Sequence, residues 1–120
     1  MKENNSSNAK IQFSLVYAEG KSWAIRELVL RALPNKHSHS RFGFVVSRRV
    51  GNAVVRNHIK RILREITRQI PVKPGWDIIF IARIPASVTG FEDLGKSVRK
   101  LLLRADLCGG ENESNRPGND

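Results

Sequence analysis

The 120 residues, 40% hydrophobic and 27% charged, suffice for one small domain with a single modest core and exclude two. A formal net charge of +10 and a pI near 10.7 point to a polyanionic partner, bound with a steep dependence on salt. No apolar run approaches the roughly 20 residues of a membrane span, the polar opening Met1–Asn8 lacks the apolar stretch of a secretory signal, and a lone cysteine, Cys108, excludes an intrachain disulfide or multi-thiolate metal site, so an inert thiol in a reducing cytoplasm is expected.

In chain order, residues 1–10 are almost wholly polar and are expected to be a flexible N-terminus. Ile11–Tyr17 reads as a short helix ended by Gly20, and Glu27–Leu33 as a strand stopped by Pro34. After a loop at Asn35–Ser40, Arg41–Ser47 alternates Phe42, Phe44 and Val46 with Gly43, Val45 and Ser47, a strand period, and the two strands are expected to form a hairpin. Asn52 is placed to cap a helix running to about Ile70, where Pro71 and Pro74 end it and Pro74-Gly75 turns the chain. Asp77–Ala82 is a continuous β-branched and aromatic run suited to a central strand, and Phe91–Arg104 carries Leu94, Val98, Leu101 and Leu102 at helical spacing. Gly109–Asp120 has little to bury. The expected domain is 11–107, followed by a disordered acidic and polar tail at 108–120, and the fold class is α+β, a small sandwich of helices on one mixed sheet.

The helix after Asn52 carries the most information. On a helical wheel Val55, Ile59, Ile62, Leu63, Ile66 and Ile70 fall in a sector roughly 100° wide, the core face, with Arg56, Lys60, Arg64, Asn57, Arg68 and Arg61 opposite. Glu65 lies on the flank, where a weak pair with Arg61 is expected. Residues 41–68 hold eight Lys or Arg against one acid, a net +7 of the chain's +10. Such a face suits phosphates: guanidinium groups offer forked donors, lysine a point charge. Phe13 and Tyr17, four apart, fit either a core stripe or a base-stacking platform. His37 and His39 flank Ser38 without further ligands and are expected to be solvated.

Gly90-Phe91-Glu92-Asp93-Leu94-Gly95-Lys96-Ser97 matches the phosphate-loop pattern G-x-x-x-x-G-K-[ST]. Glu92 and Asp93 would set two carboxylates beside the bound anion, while Thr89 and Glu92 have capping-box spacing and Phe91, Leu94 and Val98 continue a helical stripe. The stretch is therefore read as helix, with Lys96 exposed and no nucleotide bound. A DNA reader would place another helix and a short turn before its recognition helix, whereas a strand precedes this one.

Ser47-Arg48-Arg49-Val50-Gly51-Asn52-Ala53-Val54-Val55-Arg56-Asn57-His58-Ile59-Lys60-Arg61 resembles the signature of the bacterial ribonuclease P protein family. Phe13, Tyr17, Gly20, Lys21 and Ser22 resemble that family's first helix and turn, Arg41 and Gly43 its next strand, and Asp77–Arg83 its last strand, so the likeness spans roughly residues 11–107. The resemblance implies a mixed, mostly antiparallel four-stranded sheet with about three helices and a left-handed βαβ crossover, an exception to the usual handedness. It also implies a ribonucleoprotein that removes 5′ leaders from precursor tRNA, in which the RNA subunit performs Mg²⁺-dependent phosphodiester hydrolysis, the ion being bound by RNA and substrate. The protein would then contain no catalytic residue. Arg48, Arg49, Asn52, Arg56, Asn57, His58, Lys60, Arg61, Arg64 and Arg68 would bind the catalytic RNA, and Phe13, Tyr17 and Arg31 would line the leader cleft. The chain departs from the family at His58, where the motif usually has arginine and an imidazole replaces a guanidinium. It departs again at Arg31, where many members carry an aromatic residue and a cationic or cation–π contact replaces stacking, and in its Asn-rich rather than basic N-terminus.

Overall fold

The apolar run near residue 80 occupies the middle of the sheet, as its lack of a polar alternation requires. A computed structural model describes residues 11–108: α1 (Phe13–Glu19), β1 (Lys21–Ala24), β2 (Leu28–Pro34), β3 (Arg41–Val46), α2 (Ala53–Arg68), β4 (Trp76–Ala82), a 3₁₀ turn (Ile84–Val88) and α3 (Phe91–Arg104). The sheet order is β1-β2-β4-β3, with β1/β2 and β2/β4 antiparallel and β3/β4 parallel. This is the expected α+β architecture, three helices on one four-stranded mixed sheet.

The expected hairpin between Glu27–Leu33 and Arg41–Ser47 does not form, because β4 inserts between the two strands and hydrogen-bonds to both. The hairpin instead joins β1 to β2, pairing Lys21 with Ala32 and Ala24 with Val29. Gly20, the C-cap of α1, lets that helix lead directly into β1. A Cβ there would lie 2.6 Å from the Val16 carbonyl oxygen and 2.8 Å from that of Ala32, so only glycine lets the end of α1 approach β2 so closely.

The two sheet faces are covered unequally. Leu28, Leu30, Ala32, Val46, Ile78, Phe80 and Ala82 point into the main core against Ile59, Leu63, Ile66 and Ile70 from α2 and its exit, and Leu94, Val98, Leu101 and Leu102 of α3. The other face has only the seven-residue α1, whose Val16, with Ile11, packs on Ile79 beside Leu33, Val45 and Ile81. Leu33, Val45 and Ile81 therefore stay only partly covered beside α1.

Both long helices begin as their local chemistry dictates. The Asn52 side-chain oxygen accepts from the Val55 N–H at 2.9 Å, and α2 runs to Arg68 with Gln69 as its C-cap. At α3 the expected capping box is absent: Gly90 is the N-cap, and the Thr89 hydroxyl donates instead to the Pro85 carbonyl at 2.7 Å, turned back by the preceding 3₁₀ turn. Glu92 and Asp93 complement the helix dipole in the first turn. Phe91 is 48% exposed rather than part of the core stripe. The phosphate-loop pattern is thus the N-cap and first two turns of a helix, with Lys96 exposed and the Ser97 hydroxyl donating to Glu27 and the Asp93 carbonyl. Cys108, assigned from sequence to the tail, is buried and bridges Val72 through its backbone; the rest of that tail and residues 1–10 lie outside the described residues.

One ion pair locks the sheet at the start of its parallel strands. Arg41 and Asp77 are register partners, and the guanidinium grips the carboxylate with two bonds of 2.8 Å. The Asn35 amide adds a third donor at 2.8 Å. Burial raises the Asp77 pKa, but hydrogen bonds from Arg41 and Asn35 and the charges of Arg41 and His37 outweigh it and hold the carboxyl below its ordinary value of 3.8. Because the folded pKa is depressed, this stabilisation is complete above the unfolded value and is lost as pH falls through the folded one. Asp77→Asn should cost about 3 kcal/mol at pH 7, as breaking a buried pair does, and urea melts should show that deficit shrinking below about pH 4; a deficit independent of pH would refute the assignment. Lys96→Ala should change stability by less than about 0.5 kcal/mol, as exposed substitutions do, and abolish no saturable ATP binding.

Candidate nucleic-acid interface

The amphipathicity that docks α2 also decides where its cations go. With Ile59, Leu63 and Ile66 buried, Arg56, Lys60, Arg64 and Arg68 follow one another at four-residue steps, half-buried at Arg56 and Lys60 and exposed at Arg64 and Arg68, and Asn57, His58 and Arg61 are exposed beside them. Residues four apart are neighbours on a helix, so this is one continuous ridge. The single acid of the helix, Glu65, pairs with Arg68 at 3.1 Å rather than with Arg61 as expected, because the anion then precedes the cation, the better orientation with respect to the helix dipole. Both side chains are at least half exposed, so the pair is weak and easily exchanged for a phosphate. Arg56 steadies the helix entrance by donating to the Gly51 carbonyl at 3.2 Å. Asn52 stands at the head of the ridge, but its side-chain oxygen is committed to the cap, leaving the amide as a donor.

Arg48 and Arg49 are exposed in the turn that leads from β3 to α2. Arg49 lines a depression with Ser47, Arg26, Arg83 and Ile84, where the parallel strands end. Arg26 and Arg83 went unnoticed in the sequence: they are far apart along the chain and only the β2/β4 pairing brings their strands together.

Of Phe13, Tyr17 and Arg31, the last two meet directly, while Phe13 sits at the far end of the same face on β3. Ser22, Arg31, Ile79 and Gly43 form one cross-strand row on the thinly covered sheet face, and α1 lies over it. A Cβ on Gly43 would sit 2.9 Å from the Phe13 ring, so the missing side chain seats that ring on β3. At the other end the Arg31 guanidinium lies 5.4 Å from the Tyr17 ring centroid and donates to the Tyr17 carbonyl, so the cation–π alternative is the one realised. Its Nε is buried without a protein partner. Phe13 and Tyr17 remain 37% and 41% exposed, which separates them from Val16 on the same helix, 1% exposed and in the core. No group of three or more His, Cys, Asp or Glu side chains able to hold a metal occurs among the described residues, and none of their helices is long and apolar enough to cross a membrane.

The chain is similar to known proteins over nearly its whole length. The sequence profile described as ribonuclease P matches residues 1–106. The ribonuclease P protein component of Dehalococcoides mccartyi is 41% identical over 113 residues, 94% of either chain, and that of Clostridioides difficile is 42% identical over 98 residues, 79% of this chain and 86% of that one. Among solved structures, the Staphylococcus aureus RNase P protein superposes with a TM-score of 0.73 at 34% identity, covering 88% of this chain and 94% of that one. The Thermotoga maritima protein gives 0.72 at 33%, covering 86% and 97%. With the α+β sheet, the basic ridge and the matched sequence in agreement, the chain belongs to the bacterial ribonuclease P protein family, the protein component of a tRNA-processing endoribonuclease holoenzyme that works with RNase P RNA.

Proposed function

We propose that this chain holds the catalytic RNA along the α2 ridge and the single-stranded 5′ leader of precursor tRNA in the groove beside α1, while the RNA hydrolyses the phosphodiester bond. The observation that carries this reading is the run Arg56, Lys60, Arg64, Arg68, four cations on one helix side whose only acid is a solvent-exposed neighbour. Such a ridge tracks a phosphate backbone, releasing counterions as each phosphate is neutralised. Arg48, Arg49, Asn57, His58 and Arg61 extend the charged and hydrogen-bonding surface, and Asn52 contributes its amide. The family's holoenzyme is Mg²⁺-dependent; in this reading the ion belongs to the RNA and substrate, and the protein supplies binding rather than a catalytic residue. The contribution of the chain is electrostatic: its cations relieve phosphate repulsion where RNA and leader converge, in the cytoplasm.

In the groove, Phe13 and Tyr17 are the stacking surfaces for leader bases, and Arg31 both steadies Tyr17 and adds a positive charge. No nucleotide cofactor is involved, the phosphate-loop pattern being helical.

Reconstitution with a bacterial RNase P RNA transcript tests the proposal: the protein should lower the Mg²⁺ concentration needed for precursor cleavage, and protein freed of RNA should not cleave. Neutralising Arg56, Lys60 or Arg64 should reduce the salt slope of RNA binding by about one unit. Protein that cleaves without RNA, or leaves the Mg²⁺ requirement unchanged, would refute it. For the groove, Tyr17→Ala should weaken precursor binding by about 1–3 kcal/mol, as loss of a stacked base does, while mature tRNA binding holds. Equal losses for the two substrates would instead mean damage to the fold.

A further inference from the structure

Beyond the ridge itself, the cations of α2 lead to an aromatic floor. At the open edge of the sheet, β3 has only β4 as a neighbour, and its Phe42 and Phe44 are partly buried where the strand meets α2. Their rings are 6.3 Å apart between centroids and within 4° of parallel, and Phe80 lies behind Phe44 at 6.4 Å and 11°. The Arg64 guanidinium sits 5.8 Å from the Phe44 ring centroid, within cation–π range. A surface depression is lined by Phe42, Phe44, Arg64 and Arg68, with Ser40 and Thr67 at its rim.

We propose that this depression is a second base-binding site, in which an unpaired nucleobase of the catalytic RNA stacks on Phe42 and Phe44 while Arg64 and Arg68 hold its flanking phosphates. The inference rests on the reading of α2 as the RNA-binding ridge: Arg64 and Arg68 belong both to that ridge and to the depression, so a strand following the one reaches the other without leaving the surface. Stacking of a base on aromatic rings with arginine beside it is a usual arrangement for single-stranded RNA. The rim polar groups are already engaged. Ser40 donates to the Lys73 carbonyl and accepts from the Trp76 N–H, Thr67 donates to the Arg64 carbonyl, and Arg41 is gripped by Asp77. With the hydroxyl protons of Ser40 and Thr67 committed within the protein, the site selects mainly by stacking area, purines best.

The test is titration of a bacterial RNase P RNA transcript, without precursor tRNA, against wild type, Phe42→Leu, Phe42→Trp and Lys60→Ala over a range of salt. Phe42→Leu keeps an apolar side chain but removes the flat face; it should weaken RNA binding about tenfold with the salt slope unchanged, because no phosphate contact is lost. Phe42→Trp should restore the affinity. A benzoylphenylalanine placed at position 42 should crosslink to an unpaired nucleotide of the transcript. Unchanged affinity in Phe42→Leu alongside weakened binding in Lys60→Ala overturns the stacking site and leaves the ridge standing. Unchanged affinity in both variants removes the ridge reading and this inference with it. A loss in Phe42→Leu that tracks a fall in melting temperature, and that Trp does not rescue, assigns Phe42 to packing alone.

Discussion

The ion pair between Arg41 and Asp77 is the constraint on which the positions of the basic ridge and of the α1 face of the sheet depend. It joins the first residue of β3 to the start of β4, and with Asn35 it ties the β2–β3 connection to the same carboxylate. Side chains alternate along a strand, so a slip of β3 by one residue would exchange its two faces. Gly43 would leave the Phe13 ring, Phe42 and Phe44 would leave the α2 side, and the turn bearing Arg48 and Arg49 would swing with them. A buried ion pair contributes little net stability compared with apolar residues of the same shape. Its value here is that only one register satisfies it.

From that register follows a separation of tasks between the two sheet faces. One is sealed by α2 and α3, whose leucines and isoleucines form the main core, and this leaves the side of α2 away from the core to carry charge. The other is covered by a helix of seven residues, too short to close it, so apolar sheet surface and the Arg31–Tyr17 pair stay open to a ligand. The clustering of cations on α2 is costly to the isolated chain, since like charges at four-residue spacing repel. A polyanion laid along that side would relieve the repulsion, and any preference for the folded arrangement would stabilise the fold by mass action.

Much of this was legible in the sequence because it is local. The cap at Asn52, the apolar stripe from Ile59 to Ile70 and the cations opposite are set by 3.6-residue periodicity, and the central strand announced itself by its unbroken apolar run. Strand order did not, because pairing is decided by contacts far apart in sequence: two strands and a six-residue loop look like a hairpin until a later strand competes for both edges. The four residues of β1 were too few for a period to show. At α3 the Thr89–Glu92 spacing suggested a capping box, but the 3₁₀ turn before it offered the hydroxyl a nearer carbonyl. The groove residues came together through the likeness to a known family, since Phe13 and Tyr17 alone fit core and ligand equally. For Phe42 and Phe44 the alternation gave a shared strand face, whereas the edge position of β3, which leaves their rings partly open, is a matter of strand order.

The insertion of β4 between β2 and β3 has a consequence for synthesis. On the ribosome every residue through Ile70 emerges before the strand that must bridge them, so β2 and β3 wait with unpaired edges and α2 has no closed sheet to dock against. The nascent chain up to that point is an amphipathic basic helix tethered to loose strands, in a surrounding rich in ribosomal RNA. Its folding is therefore completed by a late, non-local event rather than element by element, and contacts of long sequence separation of this kind make folding slow. In this protein the arrival of β4, late in the chain, decides when the cationic surface acquires its shape.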